Sequence, residues 1–143
     1  MPKRKAKAVW TGSLAGGSGK FESETGAIGG AYTFASRFEE GDGTNPEELI
    51  AAAHSACFAM ALSGNLTKAG HEPERVTVEG TISLDKVEGG FRISGSHLSC
   101  EADVPGIGEA AFQEQVEAAR VGCPVSKALG AIEITVDASL GRT

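Results

Sequence analysis

The stretch that decides the fold is residues 45–62, Asn-Pro-Glu-Glu-Leu-Ile-Ala-Ala-Ala-His-Ser-Ala-Cys-Phe-Ala-Met-Ala-Leu. It opens with a clear helix start: Asn45 can cap, Pro46 suits the first helical position, and Glu48 can close a capping box. After this start, nearly every face of the helix is apolar, and a helix that is apolar all round is surrounded by protein. We therefore predict a buried helix from Glu47 to about Ala69.

Strands are predicted on the N-terminal side of this helix. Residues 6–14 and 20–25 alternate weakly between apolar and polar side chains, and the glycines of 16–19 separate them, which indicates a hairpin. A third strand is predicted over Ala31–Phe38. A polar loop, residues 39–45, then leads into the helix.

The C-terminal side combines strands and shorter helices. Strict alternation over residues 76–84 predicts a half-buried strand, and its partner begins at Phe91, with a bulge near Gly95 where the apolar phase shifts. An amphipathic helix follows over residues 109–120. Cys123 and Pro124 begin a short helical turn that ends near Leu129, and alternation over residues 132–137 predicts a last strand.

This order of elements indicates one α+β domain, residues 1–143, with antiparallel sheet, because runs of strands are separated by helices without regular β-α-β alternation. One small sheet cannot easily enclose a long helix that is apolar on all sides. A second subunit supplies the missing cover, so we expect a homodimer.

Composition restricts the class of protein. The 143 residues carry a formal net charge of −6, which disfavours binding to nucleic acid. The longest mostly apolar run, residues 49–62, is shorter than the ~20 residues of a membrane span, so we expect no membrane segment. The basic residues 1–7 are followed by no apolar signal region, and we expect a cytoplasmic protein.

Three cysteines cannot form a disulfide framework in a chain of this length, so each has its own interpretation. Cys57, in the middle of the apolar helix, is either a packing residue or a reactive thiol. Cys123 precedes Pro124 at a helix start, where free N–H groups and the helix dipole favour a thiolate, so it is the stronger redox candidate. Cys100, inside a strand, is interpreted as a packing residue.

Charged and polar residues near the long helix are the other candidates. Arg37 can stabilise a thiolate, although most arginines are solvated, and Glu47 can orient such an arginine by two hydrogen bonds or simply favour the helix dipole. Ten residues of helix place Glu47 about 15 Å from Cys57, so Glu47 must act through Arg37 or across a dimer interface. His54 is interpreted as a hydrogen-bonded core residue more than as a base or ligand. No metal or cofactor site is expected.

Two motifs resemble the OsmC/Ohr family of thiol-dependent hydroperoxide reductases, closest to its osmotically inducible branch. The first runs through Arg37-Phe38-Glu39 and residues 43–50 into Ala52-Ala53-His54-Ser55-Ala56-Cys57-Phe58, and the second is Gly122-Cys123-Pro124-Val125-Ser126-Lys127. Residues 83–87 and 104–107 also fit this branch.

The resemblance implies an intertwined homodimer in which sheets cover two long central helices, with the active site at the subunit interface. Cys57 then takes the place of the cysteine that attacks the peroxide, and Cys123 that of the resolving cysteine. Arg37 and Glu47 match the residues that activate the first thiolate, while Cys100 matches no motif. The implied activity is reduction of organic hydroperoxides, and less well of hydrogen peroxide, with a dithiol such as a dihydrolipoyl group as reductant.

A second hypothesis belongs to a different class. The same two cysteines can serve a non-catalytic redox sensor, or a carrier of an apolar ligand, whose shape changes with the disulfide. No DNA-binding motif or basic face supports a regulatory version of this hypothesis. Dithiol-dependent turnover of an organic hydroperoxide separates the two hypotheses.

Overall fold

The computed structural model describes residues 2–141. They form two compact units, divided between Leu49 and Ile50, and each is described by itself. The first unit holds a three-stranded antiparallel sheet in the order β1-β2-β3 and one short helix. Its elements are β1 (Ala6–Thr11), β2 (Ser18–Ser23), β3 (Gly29–Tyr32) and α1 (Phe34–Phe38), followed by the first residues of α2 (Pro46–Lys68).

The predicted third strand is wrong over its second half, which forms α1. Thr33 and Ser36 make a capping box: the Thr33 hydroxyl accepts from the Ser36 amide at 3.1 Å, and the Ser36 hydroxyl accepts from the Thr33 amide at 2.8 Å. These two bonds satisfy amide groups that a helix start leaves free, and they turn the chain out of the sheet after Tyr32.

The start of α2 differs from the sequence prediction in one detail. The Asn45 side chain caps the helix, since its oxygen accepts from the Glu48 amide at 2.8 Å. The Glu48 carboxylate accepts from the hydroxyl of Thr44 at 2.5 Å instead of closing a capping box with Asn45. At the other end, Gly70 has a φ of 91°, a conformation that favours glycine and ends the helix.

The second unit packs α2 and α3 against a three-stranded sheet in the order β4-β5-β6. The bulge predicted near Gly95 is present, because the register between β4 and β5 shifts beside Ser83 and Leu84. The expectation of an antiparallel sheet holds for β4 and β5, but β6 pairs with β5 in parallel. Its elements are β4 (Arg75–Val87), β5 (Gly90–Asp103), α3 (Glu109–Gly122), α4 (Pro124–Ala128) and β6 (Glu133–Leu140).

The core of this unit lies between the two longer helices and the sheet. At Gly80 on β4, an added Cβ would lie 2.5 Å from the Ser55 hydroxyl and 3.0 Å from the Ala51 carbonyl oxygen, so α2 and β4 are in close approach. Each large apolar side chain buried here contributes about 1.5–3 kcal/mol. The core side chains are Phe58, Leu62, Leu66, Leu98, Cys100, Ala102, Val104, Phe112, Val116 and Ala119.

Among residues 2–141, the buried side chains of α2 lie along one face of the helix. Phe58, Leu62 and Leu66 point into the core, while the opposite face is exposed, with Met60 at 78% exposure. The 23 residues of α2 include an 18-residue window with a mean hydropathy of 1.4, so α2 is long and apolar enough to cross a membrane by length and composition, which the shorter apolar run did not predict. In the middle of the helix, between residues 49 and 66, the exposed residues are Ala52, Ala53, Ala56, Met60 and Gly64.

Candidate active site

The two predicted thiols meet in the second unit. Cys57 lies in the middle of α2, and Cys123 lies at the junction of α3 and α4, where its backbone amide donates to the Ala119 carbonyl at 3.0 Å. The Cys123 thiol donates to the sulfur of Cys57 across 2.7 Å. Cys123 is completely buried, whereas Cys57 is partly exposed. An oxidised Cys57 therefore has a thiol partner within immediate reach, and Cys57 is the thiol of the pair that a solute can approach.

The surroundings of Cys57 favour its protonated form. Burial raises the pKa of the Cys57 thiol. The backbone amide of Val125 in α4 donates to the Cys57 sulfur and acts in the opposite direction. Because the net shift is upward, Cys57 needs a positive charge nearby to become a thiolate at neutral pH.

The side chain of Cys123 does not cap the helix that begins at Pro124. We expected the free amides of this helix to favour a Cys123 thiolate, but Cys123 makes no side-chain capping bond to α4. The amide of Val125 instead contacts the sulfur of Cys57. The prediction that a free amide of this short helix serves a thiol is therefore correct, but the thiol is Cys57 and not Cys123.

Arg37 and Glu47 form the second predicted cluster, which lies within the first unit. Arg37 is on α1 and not at a strand end as predicted. Its Nε donates to one oxygen of Glu47 at 3.0 Å and its Nη2 to the other at 2.8 Å. The bonds to Glu47 raise the pKa of Arg37, so the guanidinium stays charged. Such a two-pronged pair fixes the plane of the guanidinium, as predicted for Glu47.

His54 is confirmed as a hydrogen-bonded core residue. It is completely buried, with Nδ1 2.6 Å from the hydroxyl of Ser96 on β5 and Nε2 2.8 Å from the hydroxyl of Ser126 on α4. Burial lowers the pKa of His54, so the ring is neutral at pH 7. One ring nitrogen then donates and the other accepts, and either hydroxyl can serve either nitrogen.

Cys100 behaves as the packing residue that its sequence position indicated. It is buried on the core face of β5, and burial raises its pKa to about 11. A thiol with this pKa is protonated at neutral pH and unreactive. Residues 2–141 contain no group of three or more His, Cys, Asp or Glu side chains arranged to hold a metal ion.

Sequence reasoning missed two residues of the thiol site, Ser96 and Ser126. Ser96 lies on a distant strand, and no local pattern predicts its contact with His54. Ser126 did carry a signal: it follows Cys123 by three residues, as Cys57 follows His54. Residues three apart share one face of a helix, so two such pairs on facing helices can meet at two points.

Comparison with known proteins identifies relatives of this chain. A family model described as OsmC-like protein matches residues 39–138. The chain is 46% identical to Peroxiredoxin OsmC of Escherichia coli (strain K12) over 138 residues, 96% of both chains. It is 35% identical to an organic hydroperoxide resistance protein of Xanthomonas axonopodis pv. citri (strain 306) over 98 residues, 67% of both chains. The crystal structure of organic hydroperoxide resistance protein OhrB of Bacillus subtilis is similar with a TM-score of 0.74 at 32% identity, covering 94% of this chain and 98% of that one.

Proposed function

The chain belongs to the OsmC-like protein family, and from that membership and its paired thiols we propose that it reduces organic hydroperoxides with a dithiol as reductant. The 2.7 Å separation of the Cys57 and Cys123 sulfurs is the observation that carries this proposal. Relatives named as a peroxiredoxin and as organic hydroperoxide resistance proteins support the same activity.

The reaction begins at Cys57. The thiolate attacks the distal oxygen of the hydroperoxide, the O–O bond breaks, and the leaving alkoxide takes up a proton to become an alcohol. Cys57 is thereby oxidised to a sulfenic acid. Its partial exposure supports this role, since the attacking sulfur must contact a substrate that arrives from solvent.

Cys123 completes the oxidative half of the cycle. Its sulfur attacks the sulfenic acid of Cys57, an S–S bond forms, and water leaves. Complete burial of Cys123 supports a resolving role, because a buried thiol reacts with its neighbour before it meets peroxide. A dithiol, such as a dihydrolipoyl group carried on a protein, then exchanges with the disulfide and is itself oxidised to a disulfide.

Arg37, oriented by Glu47, is proposed to activate the Cys57 thiolate. The upward shift of the Cys57 pKa within its own unit means that another group must favour the charged form. Arg37 is a charged guanidinium held in a fixed plane, and it matches the activating residue of the family motif. The same positive charge can polarise the O–O bond during attack.

The substrate preference follows from the apolar surface of α2. Ala53 and Ala56 are exposed close to Cys57 in the helix. An alkyl or aryl chain gains free energy by covering such a surface, and hydrogen peroxide has no group that does so. We therefore propose that organic hydroperoxides are better substrates than hydrogen peroxide.

We also propose that the active protein is a homodimer in which the chain acts as one domain, residues 1–143. The exposed face of α2, lined by alanine and Met60, supports this assembly because a large apolar surface on a helix needs a cover. Small residues on that face let a second helix approach closely. A cytoplasmic location agrees with the need to keep Cys57 and Cys123 reduced between turnovers.

Turnover is the test of the proposed activity. Fresh reduced protein should consume cumene hydroperoxide with dihydrolipoamide as reductant, and Cys57→Ser should abolish the reaction. Cys100→Ser is the matched control, since it removes a buried thiol without touching the pair. Failure of the reduced wild-type protein to turn over would leave the sensor or carrier hypothesis in its place.

A further inference from the structure

Two side-chain contacts join α2 to the segment formed by Cys123 and α4. Cys123 meets Cys57, and Ser126, three residues later, meets His54, three residues earlier. Both pairs therefore use one face of α2, and the segment from Cys123 to Ser126 runs in the opposite direction to α2. The contact between Cys57 and Cys123, which carries the proposed chemistry, is thus accompanied by a side-chain contact between His54 and Ser126, neither of which takes part in that chemistry.

We propose that His54 is a positioning residue that holds α4, and with it Cys123, against Cys57 through the hydroxyl of Ser126. This inference rests on the proposed function, because it concerns the step in which Cys123 resolves the oxidised Cys57. His54 contacts neither sulfur through a hydrogen bond and acts only through Ser126.

The ring of His54 is itself firmly placed. Its second nitrogen is bound to Ser96 at 2.6 Å, so the imidazole bridges the central strand of the sheet and α4. A completely buried ring with a hydroxyl on each nitrogen has no free polar atom and no room to rotate without breaking a bond. The sheet thereby fixes the ring, and the ring fixes Ser126.

The short helix needs such an anchor. It spans only Pro124–Ala128, far fewer residues than a helix needs to be stable alone, and it lies between Gly122 and Gly130. Within α4 the buried residue is Ser126. Its hydroxyl is therefore the side-chain attachment of the helix, beside the Val125 amide that donates to the Cys57 sulfur.

The consequence concerns how readily the two sulfurs pair. If α4 is held in place, the effective concentration of Cys123 at Cys57 is high, and the disulfide forms quickly and resists reduction. If α4 is released, the Cys57 sulfenic acid condenses with Cys123 more slowly. A second peroxide molecule then oxidises more of it to sulfinic acid.

The test measures the equilibrium between the Cys57–Cys123 pair and dithiothreitol, with no peroxide present. Ser126→Ala removes one hydroxyl and leaves a residue of high helix propensity, so the short helix keeps its backbone. We expect the disulfide of this variant to be about three- to tenfold easier to reduce than that of the wild type. The matched control is Thr135→Val, which removes the hydroxyl that contacts an imidazole nitrogen of His97 at 2.6 Å on the exposed face of the sheet.

Two substitutions of the histidine itself separate its two contacts. The amide of Gln reaches the place of Nε2, and the amide of Asn reaches the place of Nδ1, so His54→Gln keeps the partner of Ser126 and His54→Asn loses it. We expect His54→Gln to retain the wild-type redox equilibrium more closely than His54→Asn. Mass spectrometry during peroxide turnover should show more Cys57 sulfinic acid in Ser126→Ala than in the wild type.

An unchanged dithiothreitol equilibrium in Ser126→Ala, or an equal shift in Thr135→Val, would overturn the inference. Equal behaviour of His54→Gln and His54→Asn would do the same. Because this equilibrium needs no peroxide, a shift in Ser126→Ala together with an absence of wild-type turnover would contradict the proposed activity and leave the positioning role standing.

Discussion

The sulfur of the completely buried Cys123 lies 2.7 Å from the sulfur of the partly exposed Cys57. The two residues are 66 positions apart in the chain. Cys57 lies in the middle of α2, and Cys123 lies at the junction between α3 and α4. Because Cys57 is partly exposed and Cys123 is buried, we propose that Cys57 reacts with the substrate and that Cys123 then reacts with Cys57.

Replacing Cys123 by serine should separate attack from resolution. Cys123→Ser keeps the attacking thiol, so we expect one round of peroxide reduction, followed by accumulation of Cys57 sulfinic acid, because no second thiol condenses with the sulfenic acid. Mass spectrometry of the peptide that contains Cys57 detects the added oxygen. Repeated turnover by this variant without such an adduct would remove Cys123 from the resolving role.

Replacing Arg37 should weaken the thiolate of Cys57. In Arg37→Ala we expect the Cys57 pKa to rise by about one unit or more and the rate of peroxide attack at neutral pH to fall at least about tenfold, because the proposed positive partner is lost. A thiol titration with an alkylating reagent measures the pKa, and stopped-flow kinetics the rate. Arg120→Ala is the control, since Arg120 binds Glu117 by a similar two-pronged contact on α3. Titration and rate equal to those of the wild type would place the activating group elsewhere.

Sequence patterns predicted the elements that depend on local interactions and missed those that depend on distant ones. The Asn45 cap and the alternation in β4 are local, and both are present in the structure. Thr33 and Ser36 also form a local capping box, but the aromatic residues around them have high strand propensity and concealed it. The parallel pairing of β6 and the contact between His54 and Ser96 depend on the path of the whole chain, which no window of sequence contains.

The same limit applied to the candidate site. Cysteine positions and motif resemblance identified Cys57 and Cys123, because both lie in short, specific segments. The Val125 amide was not assigned to Cys57, since a helix start indicates free donors without indicating which distant atom receives them. The role of Ser126 likewise follows only from its contact with a residue 72 positions away.

His54 should make stability depend on pH. Its pKa in the folded protein lies below the ordinary value of 6.5, so as the pH falls below about 6.5 the unfolded chain binds a proton that the folded protein excludes. The stability that the neutral ring contributes is therefore complete above this pH and is lost progressively as the pH decreases. His54→Gln has no such group, so its stability relative to the wild type should improve between about pH 7.5 and pH 5.

Urea denaturation at a fixed protein concentration measures this difference, because concentration affects the apparent stability of an oligomer. Other titrating groups are common to both proteins and cancel in the comparison. A constant difference in unfolding free energy across this range would show that the His54 pKa is the same in the folded and unfolded chains.

A charge on the exposed face of α2 should disrupt the proposed dimer. Met60 is 78% exposed in the chain, and we expect Met60→Lys to shift sedimentation from dimer to monomer, because a buried lysine at a helix interface carries a large desolvation cost. Val87→Lys, at the end of β4 and 43% exposed, serves as the control and should remain dimeric. Monomeric wild-type protein at micromolar concentration would contradict the proposed assembly.

The most direct test of the central claim is a single-turnover experiment with one equivalent of cumene hydroperoxide and fully reduced wild-type protein. The measured quantities are the alcohol released and the cysteines that become linked, identified by mass spectrometry without reductant. We expect one cumyl alcohol for each Cys57–Cys123 disulfide formed, with Cys100 still a free thiol. Consumption of the peroxide with a different cysteine pair linked, or with no disulfide formed, would contradict it.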